Sequence, residues 1–179
     1  MRVISIGKSP RILDALTNAL EEAGYQAVSS THYDRTDDPL LNERYDSVAF
    51  GRAVTPEMRE RFERILRGHN PEIASVVGMC PEVGVLVGQV DYALARLREG
   101  PEFTVEGQEV RVTTSAEVTL SWRIRRVNLL FQPSVKVFHT ATLEPGTHTV
   151  RISERDKLRL GSNFLQVTAD DKVVFTTRC

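Results

Sequence analysis

The sequence predicts two halves of different fold class, an α/β half over residues 1–99 and an all-β half over residues 100–179. Two observations predict this. Through residue 98, short apolar runs alternate with helical patterns, the rhythm of strand–helix–strand units built on a short parallel sheet. From Gly100-Pro101 onward the hydrophobic period drops to two, with turn residues between the runs, as half-buried antiparallel strands require.

In the first half, Arg2–Ile6 is a β-branched run that stops at Gly7. Ser9 is placed to cap a helix that Pro10 begins. Ile12, Leu16, Ala19, Leu20 and Ala23 form its apolar face, and Gly24 closes it. Gln26–Ser30 reads as a second strand, Asp38-Pro39 as the start of a short helix to about Arg44, and Ser47–Phe50 as a third strand. Thr55-Pro56-Glu57 opens a helix with Met58, Phe62, Ile65 and Leu66 inward. Glu72–Val77 is a fourth strand. Pro81 introduces a last helix with Val83, Val87, Val90, Leu94 and Leu97 on one side.

In the second half, Phe103–Val105 and Glu109–Thr113 flank a tight turn at Gly107-Gln108. Val118, Leu120, Trp122 and Ile124 alternate with polar neighbours, so one face is buried. The run Trp122–Arg126 reads as an exposed edge whose outward arginines discourage pairing. Val135–Leu143, Thr147–Ile152, Phe164–Thr168 and Val173–Thr177 follow as strands. Turns are expected at Glu144-Pro145-Gly146, Gly161-Ser162-Asn163 and Asp170-Asp171. About seven short strands suggest an immunoglobulin-like sandwich.

Composition excludes several function classes. The 179 residues carry a net charge of −1, with 12 basic and 15 acidic side chains up to Gly100 and 11 and 9 after it. Neither half has the basic footprint of a nucleic-acid or anionic-membrane binder. No apolar run approaches the ~18 residues of a membrane span, and the start does not read as a signal peptide. A cytoplasmic, soluble protein is the expectation.

Catalytic signatures are missing as well. Cys80 and Cys179 form no disulfide or metal pattern, and Cys80 reads as a buried, inert thiol. His32, His69, His139 and His148 are scattered without metal-ligand spacing, although His139 and His148 could approach across a hairpin at Pro145-Gly146. No G-x-S-x-G elbow occurs. Gly7-Lys8-Ser9 carries the last letters of a P-loop without its leading glycine, and no G-x-G-x-x-G follows the first strand.

The strand–helix rhythm over residues 1–98, the central strand Asp46-Ser47-Val48-Ala49-Phe50, and Asn70-Pro71-Glu72-Ile73 before the next strand together resemble a response-regulator receiver domain of flavodoxin-like topology. The resemblance implies acidic metal ligands after the first strand, where Gly7-Lys8-Ser9-Pro10 stands. It implies a phosphoacceptor aspartate after the third strand, where Gly51 stands. A fifth strand with its lysine and a final helix are not found. Phosphotransfer needs a carboxylate nucleophile and hard oxygen ligands, so the half reads as a degenerate receiver. In the second half, Val135-Lys136-Val137-Phe138, the run Leu143-Glu144-Pro145-Gly146-Thr147-His148-Thr149-Val150, and Leu160-Gly161-Ser162-Asn163-Phe164 are similar to the immunoglobulin-like modules of FlgD-type and secretion-tail domains. Phe164 takes the place of that family's tyrosine.

In doubly wound sheets a ligand crevice opens where strand order reverses. With strand order 2-1-3-4 that point lies between the first and third strands, whose loops carry Lys8, Ser9 and Arg52. Two cations beside a helix N-terminus favour an anion; the same residues also read as solvated loop side chains. The leading expectation is therefore a non-enzymatic protein-interaction or regulatory scaffold with a pseudo-receiver, without metal, cofactor or catalytic residue. Its partner would be a protein, with homodimerisation through the Val83–Leu97 helix. The alternative is a small-anion or nucleotide-binding regulatory protein using Lys8, Ser9 and Arg52. A third is an enzyme whose residues meet only at the junction of the halves.

Overall fold

A computed structural model of the chain describes residues 1–95, 100–130, 132–153, 155 and 162–179. It divides into two units, Met1–Leu97 and Arg98–Cys179, each with buried side chains of its own.

The first unit contains β1 (Arg2–Ile6), α1 (Pro10–Glu22), β2 (Gln26–Ser30), a 3₁₀ turn at Pro39–Asn42, β3 (Ser47–Phe50), α2 (Pro56–His69), β4 (Ala74–Val77) and α3 (Val83–Ala95). Its four strands are parallel in the order β2-β1-β3-β4. Side chains alternate across this sheet, and each face is covered. Ile4, Ile6, Val48 and Phe50 pack with Phe62 and Leu66 of α2; the Phe50 and Phe62 rings lie 6.0 Å apart. Val3 and Ala49 face the other way, against Leu16 and Leu20 of α1 and Leu86, Val90 and Leu94 of α3.

Several details depart from the sequence expectation. The buried face of α1 includes Leu13, whereas the predicted face ran through Ile12. β4 begins at Ala74 and not at Glu72, because Asn70 accepts the Glu72 N–H at 3.2 Å and turns the chain there. In α3 the core side is Leu86, Val90 and Leu94, and none of its described residues is exposed; Leu97 lies outside the described residues. The Asp38-Pro39 start is well formed. Asp38 accepts from Leu40 N at 3.0 Å and from Ser30 Oγ. Burial works to raise its carboxyl pKa, but these bonds, with His32 and Arg35 nearby, hold it below the ordinary carboxylate value.

Among the described residues the second unit has seven strands: β5 (Glu102–Glu106), β6 (Glu109–Thr114), β7 (Val118–Val127), β8 (Pro133–Leu143), β9 (Gly146–Arg151), β10 (Ser162–Ala169) and β11 (Lys172–Arg178). They form two antiparallel sheets, β11-β10-β7-β8 and β5-β6-β9. Phe103 and Phe175 stack between the sheets with centroids 4.8 Å apart. Leu120, Trp122 and Ile124 are fully buried, as the alternation requires. β7, however, is an interior strand paired on both sides. Its arginines project from a sheet face and do not guard an edge. The chain switches sheets between β8 and β9, so Pro145-Gly146 is not a hairpin. His139 instead packs 5.0 Å from the Trp122 ring, and His148 Nε2 lies 2.8 Å from the Glu144 carbonyl. Ser162 and Asn163, expected in a turn, open β10; Gly161 lies outside the described residues. Asp170 and Asp171 both take positive φ, 48° and 62°, the backbone of a two-residue hairpin turn.

Candidate functional site

At the carboxyl edge of the parallel sheet, β1, β3 and β4 each end in a glycine: Gly7, Gly51 and Gly78. Their N–H groups continue the ladder to Ser30 O (3.0 Å), Ile6 O (2.8 Å) and Phe50 O (2.9 Å). Two of these glycines sit at close approaches. A Cβ at Gly51 would lie 3.3 Å from the Gly7 Cα, and one at Gly78 would lie 2.9 Å from Leu86 Cδ2. On the α1/α3 face Ser5 and Ala49 stand beneath Gly7 and Gly51 and line the space, while Val76 of β4 faces the same way. Small side chains below and two helices above leave a cavity of about 200 Å³.

Its walls are Ile12, Leu13 and Leu16 from α1, Leu86 from α3, and Cys80-Pro81 from the loop between β4 and α3. That loop is held by Gln89, buried in α3, whose Oε1 accepts from Met79 N (2.9 Å) and whose Nε2 donates to Val77 O (2.8 Å). Lys8, Ser9 and Arg52 all line the same cavity. Lys8 and Arg52 are exposed and Ser9 is half-buried. Among the described residues neither cation has an ion pair or side-chain hydrogen bond, and no carboxylate lines the cavity.

The helix ends around it differ in polarity. Ser9 stands at the N-cap of α1, but its hydroxyl caps nothing, and the first turn carries no acidic residue. Pro10 has no N–H, so the N–H groups of Arg11 and Ile12 remain without an intrahelical acceptor. By contrast, Thr55 caps α2 through Met58 N at 3.3 Å. The Glu82 carboxylate accepts from Gly84 N (3.1 Å) and Val85 N (2.8 Å) at the start of α3. Positive potential at this sheet edge therefore concentrates on α1, beside Lys8 and Arg52.

Sequence reasoning missed three contributors. Ser5 was legible only as the one polar residue inside the apolar run Arg2–Ile6. Gln89 and Cys80-Pro81 join the site through tertiary contacts that no local pattern announces. Among the described residues no cluster of three or more His, Cys, Asp or Glu could hold a metal, and no helix is long and apolar enough to cross a membrane.

No protein-family model matches the chain, and no curated protein does. Among solved structures it is similar to a GH3 beta-glucosidase from Bifidobacterium adolescentis, at 9% identity over 99% of this chain and 48% of that one, with a TM-score of 0.35. It is similar to a superoxide reductase from Giardia intestinalis at 10% identity over 46% and 96%, TM-score 0.28. An NAD kinase from Archaeoglobus fulgidus matches at 12% identity over 100% and 90%, TM-score 0.37. The chain spans about half the length of the glucosidase. At these TM-scores the likenesses carry no argument about fold or function, and no family is assigned.

Proposed function

We propose that the chain is a non-enzymatic regulatory protein whose first unit, a degenerate receiver-like module of flavodoxin-like topology, binds a small anion at its switch point. The second unit is read as an immunoglobulin-like sandwich, a reading supported by its two antiparallel sheets of four and three strands. One observation carries the anion reading: Lys8, Ser9 and Arg52, from two different loops, line one cavity at the uncapped start of α1. The strand order β2-β1-β3-β4 puts that cavity where the order reverses. Gly51 and Lys8 stand where the receiver resemblance implies a nucleophile and metal ligands, so binding without phosphoryl transfer is the chemistry left. A volume of about 200 Å³ is below the ~300–1,000 Å³ of drug-sized pockets, which favours a small anion over a whole nucleotide.

A thermal-shift titration tests this. Inorganic phosphate at about ten times its dissociation constant should raise the melting temperature by about 3 °C. Sodium chloride at matched ionic strength should not, and Lys8→Ala should remove the shift. A flat response to phosphate, benzoate and sugar phosphates alike would sink the reading.

A second reading, a protein-interaction scaffold, is favoured by β8. This strand pairs only with β7 among the described residues, and Val135 and Val137 on it are 47% and 57% exposed. Such an edge invites two-fold pairing with a second copy, a task the sequence expectation gave to the now largely buried α3. Light scattering after size exclusion should find a dimer that Val137→Lys converts to monomer; a wild-type monomer at high concentration would count against it.

A further inference from the structure

The floor of the cavity holds a polar group that the fold does not use. Ser5 is 1% exposed, and its hydroxyl oxygen has no hydrogen-bond partner among the described residues. It lies on β1 facing α1 and α3, and it lines the cavity. Its register neighbours across the sheet are Ala49 on β3 and Ser29 on β2, and no hydrogen bond joins the Ser5 hydroxyl to Ser29. A buried hydroxyl left unpaired costs about 1–3 kcal/mol, and a ligand group in this space that pairs with it recovers part of that cost.

The mouth and the floor thus ask for different chemistry. Cationic Lys8 and Arg52 and the free N–H groups of α1 stand at the mouth. Ser5 stands two strand residues below Gly7, roughly 6–7 Å along the strand. Between them the walls are apolar apart from the Cys80 thiol. A cavity of about 200 Å³ exceeds the ~150 Å³ that accepts benzene in an apolar core.

Resting on the anion reading, we infer that the ligand is a compact organic anion of about ring size. Its carboxylate or phosphate sits at Lys8, Ser9 and Arg52, and a hydroxyl or carbonyl about one ring-length away meets Ser5 Oγ. A second buried serine provides the control. Ser47 Oγ is also unpartnered and fully buried, but it lies outside the cavity.

Calorimetric titration of the full chain with benzoate, 4-hydroxybenzoate and inorganic phosphate tests the assignment. 4-Hydroxybenzoate should bind about tenfold more tightly than benzoate. Ser5→Ala should lower 4-hydroxybenzoate affinity about tenfold and so erase that preference, and Ser47→Ala should leave the preference intact. If both ligands bind and Ser5→Ala shifts neither, or shifts both equally, Ser5 is an ordinary core serine and the inference is overturned while the anion site stands. If none of the three anions binds, the anion reading fails and takes this inference with it.

Discussion

Trp122→Ala is expected to lower the unfolding free energy by about 3–5 kcal/mol, the usual cost of removing a large buried aromatic. Trp122 is fully buried on β7, with β10 and β8 on either side. An interior strand has little room to collapse into the void. Trp122→Phe should cost far less, about 1 kcal/mol. The lost ring volume is partly offset because the indole N–H, which has no partner among the described residues, goes with it. Urea unfolding followed by circular dichroism makes the comparison, since Trp122 is the sole tryptophan and its fluorescence vanishes in both variants. Equal losses for the two variants would mean that the N–H is satisfied in the folded protein.

The second large effect is expected at Gln89. Replacing it with leucine keeps the bulk but removes the amide that serves two backbone groups, the Met79 N–H and the Val77 carbonyl, through part-buried hydrogen bonds. The expected loss is about 1–3 kcal/mol, the sum for two part-buried hydrogen bonds. It carries a local signature that a general core defect would lack. The loop between β4 and α3 holds Cys80 and Pro81 against the cavity, so Cys80 alkylation by iodoacetamide should speed up several-fold before global unfolding begins. Peptide mass spectrometry separates Cys80 from Cys179. Unchanged labelling at Cys80 would show that Gln89 does not hold the cavity wall.

Much of this architecture was legible because local chemistry and fold agree. The Thr55-Pro56 cap and the Asp38-Pro39 start satisfy their own backbone groups within a few residues, and Ser47–Phe50 is a short run buried throughout, as its composition suggests. The failures came where distant segments decide. The run Val83–Val90 is apolar on every side, so its phase cannot be read, and only the sheet beneath selects Leu86, Val90 and Leu94. Trp122–Arg126 alternates equally well at an edge or in the interior, and pairing with both β8 and β10 settles it. Ser9 looked like a capping residue and holds the capping position without making the bond. The place of the candidate site followed from the strand-order rule. Its volume and floor could not, because they depend on small residues contributed by three strands.

The hollow beneath α1 and α3 has a further consequence, one of abundance. Any molecule that binds only the folded chain and is held at a hundred times its dissociation constant adds about 2.7 kcal/mol to the folded state. The unfolded fraction, the form that proteases take, then falls by about two orders of magnitude. On the anion proposal, a protein with a cavity of this size against two of its core helices would report its ligand through its own lifetime. On that reading, cellular level would track occupancy.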